Sequence, residues 1–225
     1  DPQGNATEGL GLGHSYDEEP PNLFDVISGT EPSVTINDLV RDHKEFDVIP
    51  SNFDMLNAER ELMIADYEGE DSLAFLSDAL DALAHEYDFI LLDSPPFFGE
   101  LTDAALYAAQ NVLVPALTES TSERAVELLL EQIQDLESER DIYIRELGAV
   151  ANRIETTNEA ERMQEWLERA FPDIPVWRVR KRVVLQRAHS AGVSVFEYSE
   201  KCDMTDVFLN IADSLDEQLQ ENAHE

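Results

Sequence analysis

Short apolar runs alternate along the chain with longer stretches that carry a helical repeat. The runs lie at residues 87–93, 111–115, 146–151 and 174–176. Within them apolar and polar residues do not alternate, a pattern typical of parallel strands that are buried on both faces. A further run at residues 46–50 ends in Pro50, which predicts a short strand that stops there.

Helices are predicted between these runs. Helical periodicity covers residues 22–28, 52–64, 70–85, 120–140, 157–170 and a last segment that Asp203 caps, and another helix begins near Ser33. Ser120 followed by Glu123 has the sequence of a capping box. Residues 1–21 are rich in Gly, Pro and Asp and are predicted to be loop.

The alternation of strands and helices predicts an α/β fold with a doubly wound, mostly parallel sheet and helices on both faces. No internal repeat and no low-complexity linker interrupts the pattern. We therefore expect one domain over residues 1–225, a length that suits a single core.

The charge balance is extreme. The chain carries 49 acidic and 15 basic residues, a net charge of −34, yet its long apolar segments argue against disorder. The acids are spread over the whole length and lysine is scarce, which favours a protein kept soluble in concentrated salt, where the Debye length falls to about 3 Å. The alternative is an acidic interaction protein.

The sequence excludes or disfavours disulfides, several kinds of metal site and a membrane location. Cys202 is the single cysteine, so neither an intrachain disulfide nor a cysteine-based metal cluster can form. The five histidines show no metal-ligand spacing. The apolar runs are too short to span a bilayer and no signal peptide is present, so we expect a cytoplasmic protein without membrane contact.

The clearest candidate for chemistry is Asp93, which ends the run at residues 87–93 and is followed by Ser94, Pro95 and Pro96. Ligands of doubly wound sheets bind beyond the carboxyl ends of the strands. An aspartate placed there can hold Mg²⁺ through water, as the Walker B residue of P-loop NTPases does. The alternative is that Asp93 caps the next helix.

The opening residues, DPQGNAT at 1–7, look like the segment after the second strand of ParA/Soj-type ATPases, the branch that includes MinD. Four more stretches resemble that family in order: DVIPSNFDMLNAERELM at 47–63, DSPPFFGELTDAAL at 93–106, VLVPA at 112–116 and VVLQRAHSAGVSVFEY at 183–198. Their order and spacing are more specific than any single stretch. On them the chain is identified as a member of this family.

The resemblance implies an ATPase that uses ATP and Mg²⁺ and closes into a homodimer around the nucleotides. The dimer would bind DNA without sequence preference, and hydrolysis would release it. It would partition a chromosome or plasmid on the nucleoid together with a ParB-like partner.

The resemblance also implies roles for single residues. Asp1 matches the aspartate that orients the attacking water, and Gln3 and Asn5 fall in the adjoining nucleotide-binding switch segment. Asp93 matches the Walker B position. Asn152 matches a residue that contacts adenine, although it could equally be a helix N-cap.

The family's phosphate-binding loop, KGG.GKT, has no counterpart here. Gly9, Gly11 and Gly13 alternate, but no lysine follows them, so they favour a flexible loop over a phosphate cradle. RKR at 180–182 and RAH at 187–189 also replace the family's PRN and EAP. We expect that the sequence is cut short before Asp1 and that this fragment alone is inactive.

A basic cluster stands out in so acidic a chain. It consists of Arg178, Arg180, Lys181, Arg182 and Arg187. We interpret this cluster as a DNA phosphate-binding patch. The alternative is a local network of ion pairs with the surplus acids.

Four other functions are alternatives. A MinD-like positioning ATPase would need a basic amphipathic C-terminal helix, but residues 203–225 contain no Lys or Arg. A different enzyme class would be an amide synthetase or a reductase of the nitrogenase-iron-protein type, and the reductase is excluded because it needs paired cysteines. A non-catalytic relative that lacks the loop and serves as a dimerisation partner stays open.

Overall fold

The computed structural model describes residues 1–30, 33–83, 85–96, 98–198 and 201–222. The chain divides into two compact units, Asp1–Gln110 and Asn111–Glu225. Each unit has its own buried apolar clusters.

The described part of the first unit is mainly helical. Its α-helices are α1 (Asn5–Gly9), α2 (Leu23–Ile27), α3 (Ala58–Glu68), α4 (Ala74–Asp81) and α5 (Glu100–Ala109). Short 3-10 helices cover Gly13–Asp17, Ile36–Leu39 and Phe53–Asn57. Strand β1 (Arg41–Asp42) pairs antiparallel with β2 (Asp47–Val48).

Capping and apolar spacing explain these helices. The Asn22 side chain accepts from the Phe24 N–H at 3.0 Å, while Asp25 accepts from the Asn22 N–H at 2.8 Å, so α2 starts with a capping box. One buried cluster then joins α2, the third 3-10 helix, α3 and α5. It contains Ile27, Met55, Ala58, Leu62 and Leu101.

The second unit follows the predicted alternation of strands and helices. Its elements are β3 (Asn111–Leu117), α6 (Ser120–Arg140), β4 (Arg145–Ile154), α7 (Asn158–Ala170), β5 (Val176–Arg180), α8 (Val183–Ser190) and α9 (Thr205–Asn222). The three strands form a parallel sheet in the order β3-β4-β5.

Alternate residues of β4 point to opposite faces of this sheet. Ala149 and Ala151 are buried in a cluster with residues of β3, α6 and α7, including Leu167. Val150 is buried in a second cluster with Met204 and Ile211, and Ile211 lies in α9. Helices therefore cover both faces, as predicted for an α/β fold with a parallel sheet.

The prediction of a buried strand at residues 87–93 was wrong. No strand of the described residues includes this run, and Phe89 and Leu91 are 51% and 88% exposed. An apolar run becomes a strand only when another strand completes its hydrogen-bond ladder. The run is fixed at its start, where the Tyr87 hydroxyl donates to Asp47 at 2.7 Å, and this bond raises the pKa of Tyr87 to about 12.

Three smaller predictions were also wrong. Residues 1–21 are not loop throughout, because they contain α1 and a 3-10 helix. The helix expected near Ser33 is the 3-10 turn Ile36–Leu39. Helix α6 begins at Ser120, and its N-cap position is Glu119 rather than the predicted Ser120.

Candidate functional site

The structure brings two of the predicted site residues together. The backbone nitrogen of Asp1 donates to the carbonyl oxygen of Asp93 at 2.6 Å. Residues 92 positions apart in the sequence are therefore neighbours in the first unit.

The segment from Asp1 to Asn5 is held by its own side chains. The Asp1 carboxylate accepts from the Gln3 N–H at 3.0 Å, and the Gln3 side chain accepts from the Asn5 amide at 3.2 Å. Gly4 has a positive φ of 65°, and an added Cβ would lie 2.5 Å from the Tyr16 ring. This turn therefore requires glycine, since side chains are strained in that conformation.

Residues outside the segment Asp1–Asn5 also hold it in place through hydrogen bonds. The Ser51 hydroxyl donates to the Asp1 carbonyl at 2.7 Å, and the Ser51 N–H donates to the Thr7 hydroxyl at 2.8 Å. The Tyr16 hydroxyl donates to the Pro2 carbonyl at 2.7 Å. Sequence analysis missed Ser51 and Tyr16, because a hydroxyl that orients backbone has no recognisable spacing.

Glu59 is another contact that sequence analysis did not assign. Its carboxylate accepts from the backbone N–H groups of Glu100 and Leu101 at 2.8 and 3.1 Å. It thereby caps the start of α5, the helix that follows Asp93 in the chain. Glu59 lies within the stretch at 47–63 that carried part of the family resemblance, which was the available signal.

The donor set of this region suits Mg²⁺. The Asp93 side chain is exposed at the end of its run, and Mg²⁺ is commonly held by one or two carboxylates together with substrate phosphates. Within the described residues, no group of three or more His, Cys, Asp or Glu could hold a metal ion. The sequence contains no GK[ST] motif, so it supplies no lysine loop for the phosphates.

Asn152 lies in the second unit near the end of β4. Its side chain accepts from the Arg153 N–H at 2.8 Å, and Arg153 has a positive φ of 53°. The N-cap of α7 is instead Thr157, whose hydroxyl accepts from the Ala160 N–H at 3.1 Å. The alternative of Asn152 as a helix N-cap was therefore wrong.

Three members of the basic cluster form ion pairs. Arg178 pairs with Glu168, Lys181 with Glu155 at 2.5 Å, and Arg182 with Asp203 at 2.6 and 2.7 Å. Across the part of the chain that the structure describes, Arg180 forms no ion pair. Arg187 lines an open depression of about 300 Å³ on α8.

The ion pairs change the titration of the acids involved. The hydrogen bond from Arg182 lowers the pKa of Asp203, and the bond from Lys181 lowers the pKa of Glu155. The same contact with Asp203 raises the pKa of Arg182. The cluster thus contains the ion pairs of the alternative interpretation, and Arg180 keeps an exposed cationic side chain.

In the described residues, the structure has no helix that is both long enough and apolar enough to cross a membrane. The second unit has an α/β architecture, a parallel sheet flanked by helices on both faces.

Comparison with known proteins agrees with this class. Residues 1–145 match AAA_31, a family described as an AAA domain. Soj, the sporulation initiation inhibitor protein of Bacillus subtilis, is 28% identical over 223 residues, covering 94% of this chain and 82% of Soj. The chromosome partitioning protein ParA of Caulobacter vibrioides is 29% identical over 218 residues, covering 94% and 78%.

Among solved structures, the ATP complex of McdA from Cyanothece is similar in fold. It superposes with a TM-score of 0.79 at 22% identity, covering 95% of this chain and 82% of McdA. The chain belongs to the AAA_31 family. Soj of Treponema pallidum, described as a chromosome-partitioning ATPase, is 29% identical over 208 residues, covering 90% of this chain and 77% of that Soj.

Proposed function

We propose that this protein is a ParA-type ATPase that partitions a chromosome or plasmid. The contact between Asp1 and Asp93 is the observation that carries the proposal. It joins the segment that resembles the family's water-orienting switch to the aspartate that resembles its Walker B residue. The ParA and Soj relatives, each aligned over 94% of the chain, support the same function.

In the proposed site, each residue has its own role. Asp93 holds Mg²⁺ through water, and Asp1 orients the attacking water. Gln3 and Asn5 contact the nucleotide from the switch segment, and Asn152 contacts adenine. When bound, Mg²⁺ neutralises charge on the ATP phosphates. The hydrogen bonds within residues 1–5 keep the Asp1 carboxylate oriented before any substrate arrives.

In the same proposal, the single ATPase domain over residues 1–225 forms a homodimer with ATP and binds DNA through the basic cluster. Phosphate contacts position a protein on DNA without reading sequence, which suits non-specific binding to the nucleoid. A ParB-like partner would act on this dimer. The charge of −34 suits a salt-rich cytoplasm.

The test compares the chain as printed with the full-length gene product. Because the printed sequence has no GK[ST] loop, we expect it to bind a fluorescent ATP analogue weakly or not at all. The full-length product should bind the analogue with Mg²⁺ and hydrolyse ATP. Asp93→Ala should abolish both activities, whereas the control Asp88→Ala, an exposed aspartate of the same run, should retain them.

Two results would contradict the proposal. A full-length product without Mg²⁺-dependent ATP hydrolysis would refute the ATPase function. Equal activity of Asp93→Ala and Asp88→Ala would show that Asp93 holds no metal.

The DNA function needs its own variants. Arg180→Glu together with Arg182→Glu should weaken binding of the ATP-bound dimer to DNA of any sequence to the same degree. Arg124→Glu together with Arg169→Glu is the control matched in charge, because both arginines are exposed and lie in α6 and α7, outside the basic cluster. Unchanged DNA affinity of the double variant at matched salt would assign the cluster to ion pairing alone.

A further inference from the structure

Glu59 connects two parts of the first unit that are distant in sequence. It lies in the first turn of α3, and both of its carboxylate oxygens accept backbone hydrogen bonds at the start of α5: Oε1 from Glu100 and Oε2 from Leu101. The first N–H groups of a helix have no partner within the helix. The N-cap position of α5 is Gly99, which offers no side chain, so Glu59 supplies the cap from another helix.

Gly99 makes room for this contact. A Cβ at position 99 would lie 2.1 Å from Oε1 of Glu59 and 2.7 Å from its Cδ. The backbone of Gly99 is extended, with φ 160° and ψ 172°. Conformation therefore does not require glycine there, but a Cβ would have to displace the Glu59 carboxylate from its present place.

Apolar packing already joins the two helices. Ala58 and Leu62 of α3 share a buried cluster with Leu101 of α5. Glu59 is therefore not needed to bring α3 and α5 together. Its two hydrogen bonds define where the first turn of α5 lies along α3.

The stretch that leads from Asp93 to α5 is consequently fixed at both ends. At one end the Asp93 carbonyl accepts from the backbone nitrogen of Asp1 at 2.6 Å. At the other end Glu59 holds Glu100 and Leu101. Between them Pro95 is buried and Pro96 follows directly, and the fixed φ of proline restricts the backbone there.

We propose that Glu59 is a positioning residue for ATP hydrolysis, which sets the place of Asp93 by anchoring the start of α5. The proposal rests on the proposed ATPase function, in which Asp93 holds Mg²⁺. Glu59 itself touches neither nucleotide nor metal in this proposal. Its effect should therefore appear in turnover rather than in ATP affinity, because small displacements of a positioned group slow the chemical step strongly.

The experiment uses the full-length gene product and its variants Glu59→Ala, Glu59→Gln and Gly99→Ala. We expect kcat for Mg²⁺-ATP to fall about 10- to 100-fold in Glu59→Ala, while the Kd for ATP changes by no more than about threefold. Glu59→Gln keeps one acceptor oxygen and should rescue part of the loss. Glu61→Gln is the control, since Glu61 lies on the same helix and pairs with Arg60.

A double-mutant cycle separates Glu59 from general damage. Gly99→Ala should lower kcat by pushing the carboxylate away, but it should have no further effect in the Glu59→Ala background, where the clash is absent. Amide hydrogen exchange at Glu100 and Leu101 should accelerate in Glu59→Ala and stay at the parent rate in Glu61→Gln. If Glu59→Ala does not fold, Glu59→Gln and Gly99→Ala supply the comparison.

The outcomes separate this proposal from the function on which it rests. A parent protein without ATP hydrolysis overturns the proposed function. An active parent whose Glu59→Ala or Glu59→Gln variant turns over at the parental kcat, despite faster exchange at Glu100, overturns the positioning role alone. Additive losses in Glu59→Ala and Gly99→Ala would also overturn it, because the two residues would then act separately.

Discussion

Two runs of similar apolar content behave differently in the two units. Residues 111–117 form β3, which pairs with β4 and buries Val114 to 1% exposure. Residues 87–93 are as apolar, yet they join no strand of the described residues, and Leu91 is 88% exposed. The difference shows that a partner strand, and not apolar composition, decides whether such a run becomes a buried strand.

The units also hold their functional residues by different means. In the first unit, Asp1 and Asp93 are placed by hydrogen bonds to backbone groups. In the second unit, the basic cluster begins in β5 of the parallel sheet. Ion pairs at the surface hold Lys181 and Arg182. Changing Asp1 or Asp93 should therefore affect chemistry, whereas changing the buried core of the second unit should affect stability.

The largest expected effect is on packing in the second unit. Leu167 is fully buried in the cluster that contains Val114, so Leu167→Ala should lower the free energy of unfolding by about 2–5 kcal/mol. The same change at exposed Leu91 should stay within about 0.5 kcal/mol. Urea denaturation of both variants measures this, and a large loss in Leu91→Ala would show that residues 87–93 are buried in solution.

The next largest expected effect is a loss of ATP turnover that leaves the packing of the protein unchanged. In the full-length gene product, Asp1→Ala should lower ATP turnover about 100-fold, because a group that positions the attacking water would be lost. ATP binding and dimerisation should persist, since Asp1 acts only on the water. Side-by-side assays of nucleotide affinity, dimer formation and turnover test this. Loss of ATP binding would instead place Asp1 among the metal-binding groups.

A smaller effect is expected at the start of α7. Thr157→Ala removes the hydroxyl that accepts from the Ala160 N–H, which should lower the free energy of unfolding by about 1 kcal/mol. Thr157→Ser keeps the hydroxyl and should stay close to the parent. A thermal or urea unfolding series compares the two, and equal losses would mean that the methyl group matters more than the cap.

The smallest effect concerns the ion pair between Arg182 and Asp203. Because the folded-state pKa of Asp203 lies below its ordinary value of 3.8, the pair adds stability at higher pH, and that stability is lost as the pH falls through the lowered pKa. Arg182→Gln should therefore lower Tm slightly at pH 7 but not at about pH 2.

Salt provides the check on this last prediction. The contribution of an exposed pair is small and screened, so the Tm difference at pH 7 should shrink at about 1 M salt. A difference that persisted at about pH 2 would have to come from lost packing of the arginine stem.

Local chemistry made much of the second unit predictable. Strand β3, helix α7 after Thr157 and the burial of alternate residues in β4 follow from apolar runs and caps that act over a few positions. The order of the family-like stretches likewise indicates the fold. These local signals indicate where the elements lie, whereas the burial of β3 also depends on its pairing with β4.

Contacts between distant residues belong to the tertiary structure alone. The proximity of Asp1 to Asp93, the anchoring of α5 by Glu59 and the ion pairs of the basic cluster join residues between 10 and 92 positions apart. The exposure of residues 87–93 belongs here too, because hydrogen-bond partners for a strand lie elsewhere in the chain. By itself the sequence determined which residues could do chemistry, and folding decided which of them meet, since packing brings together groups that no local pattern relates.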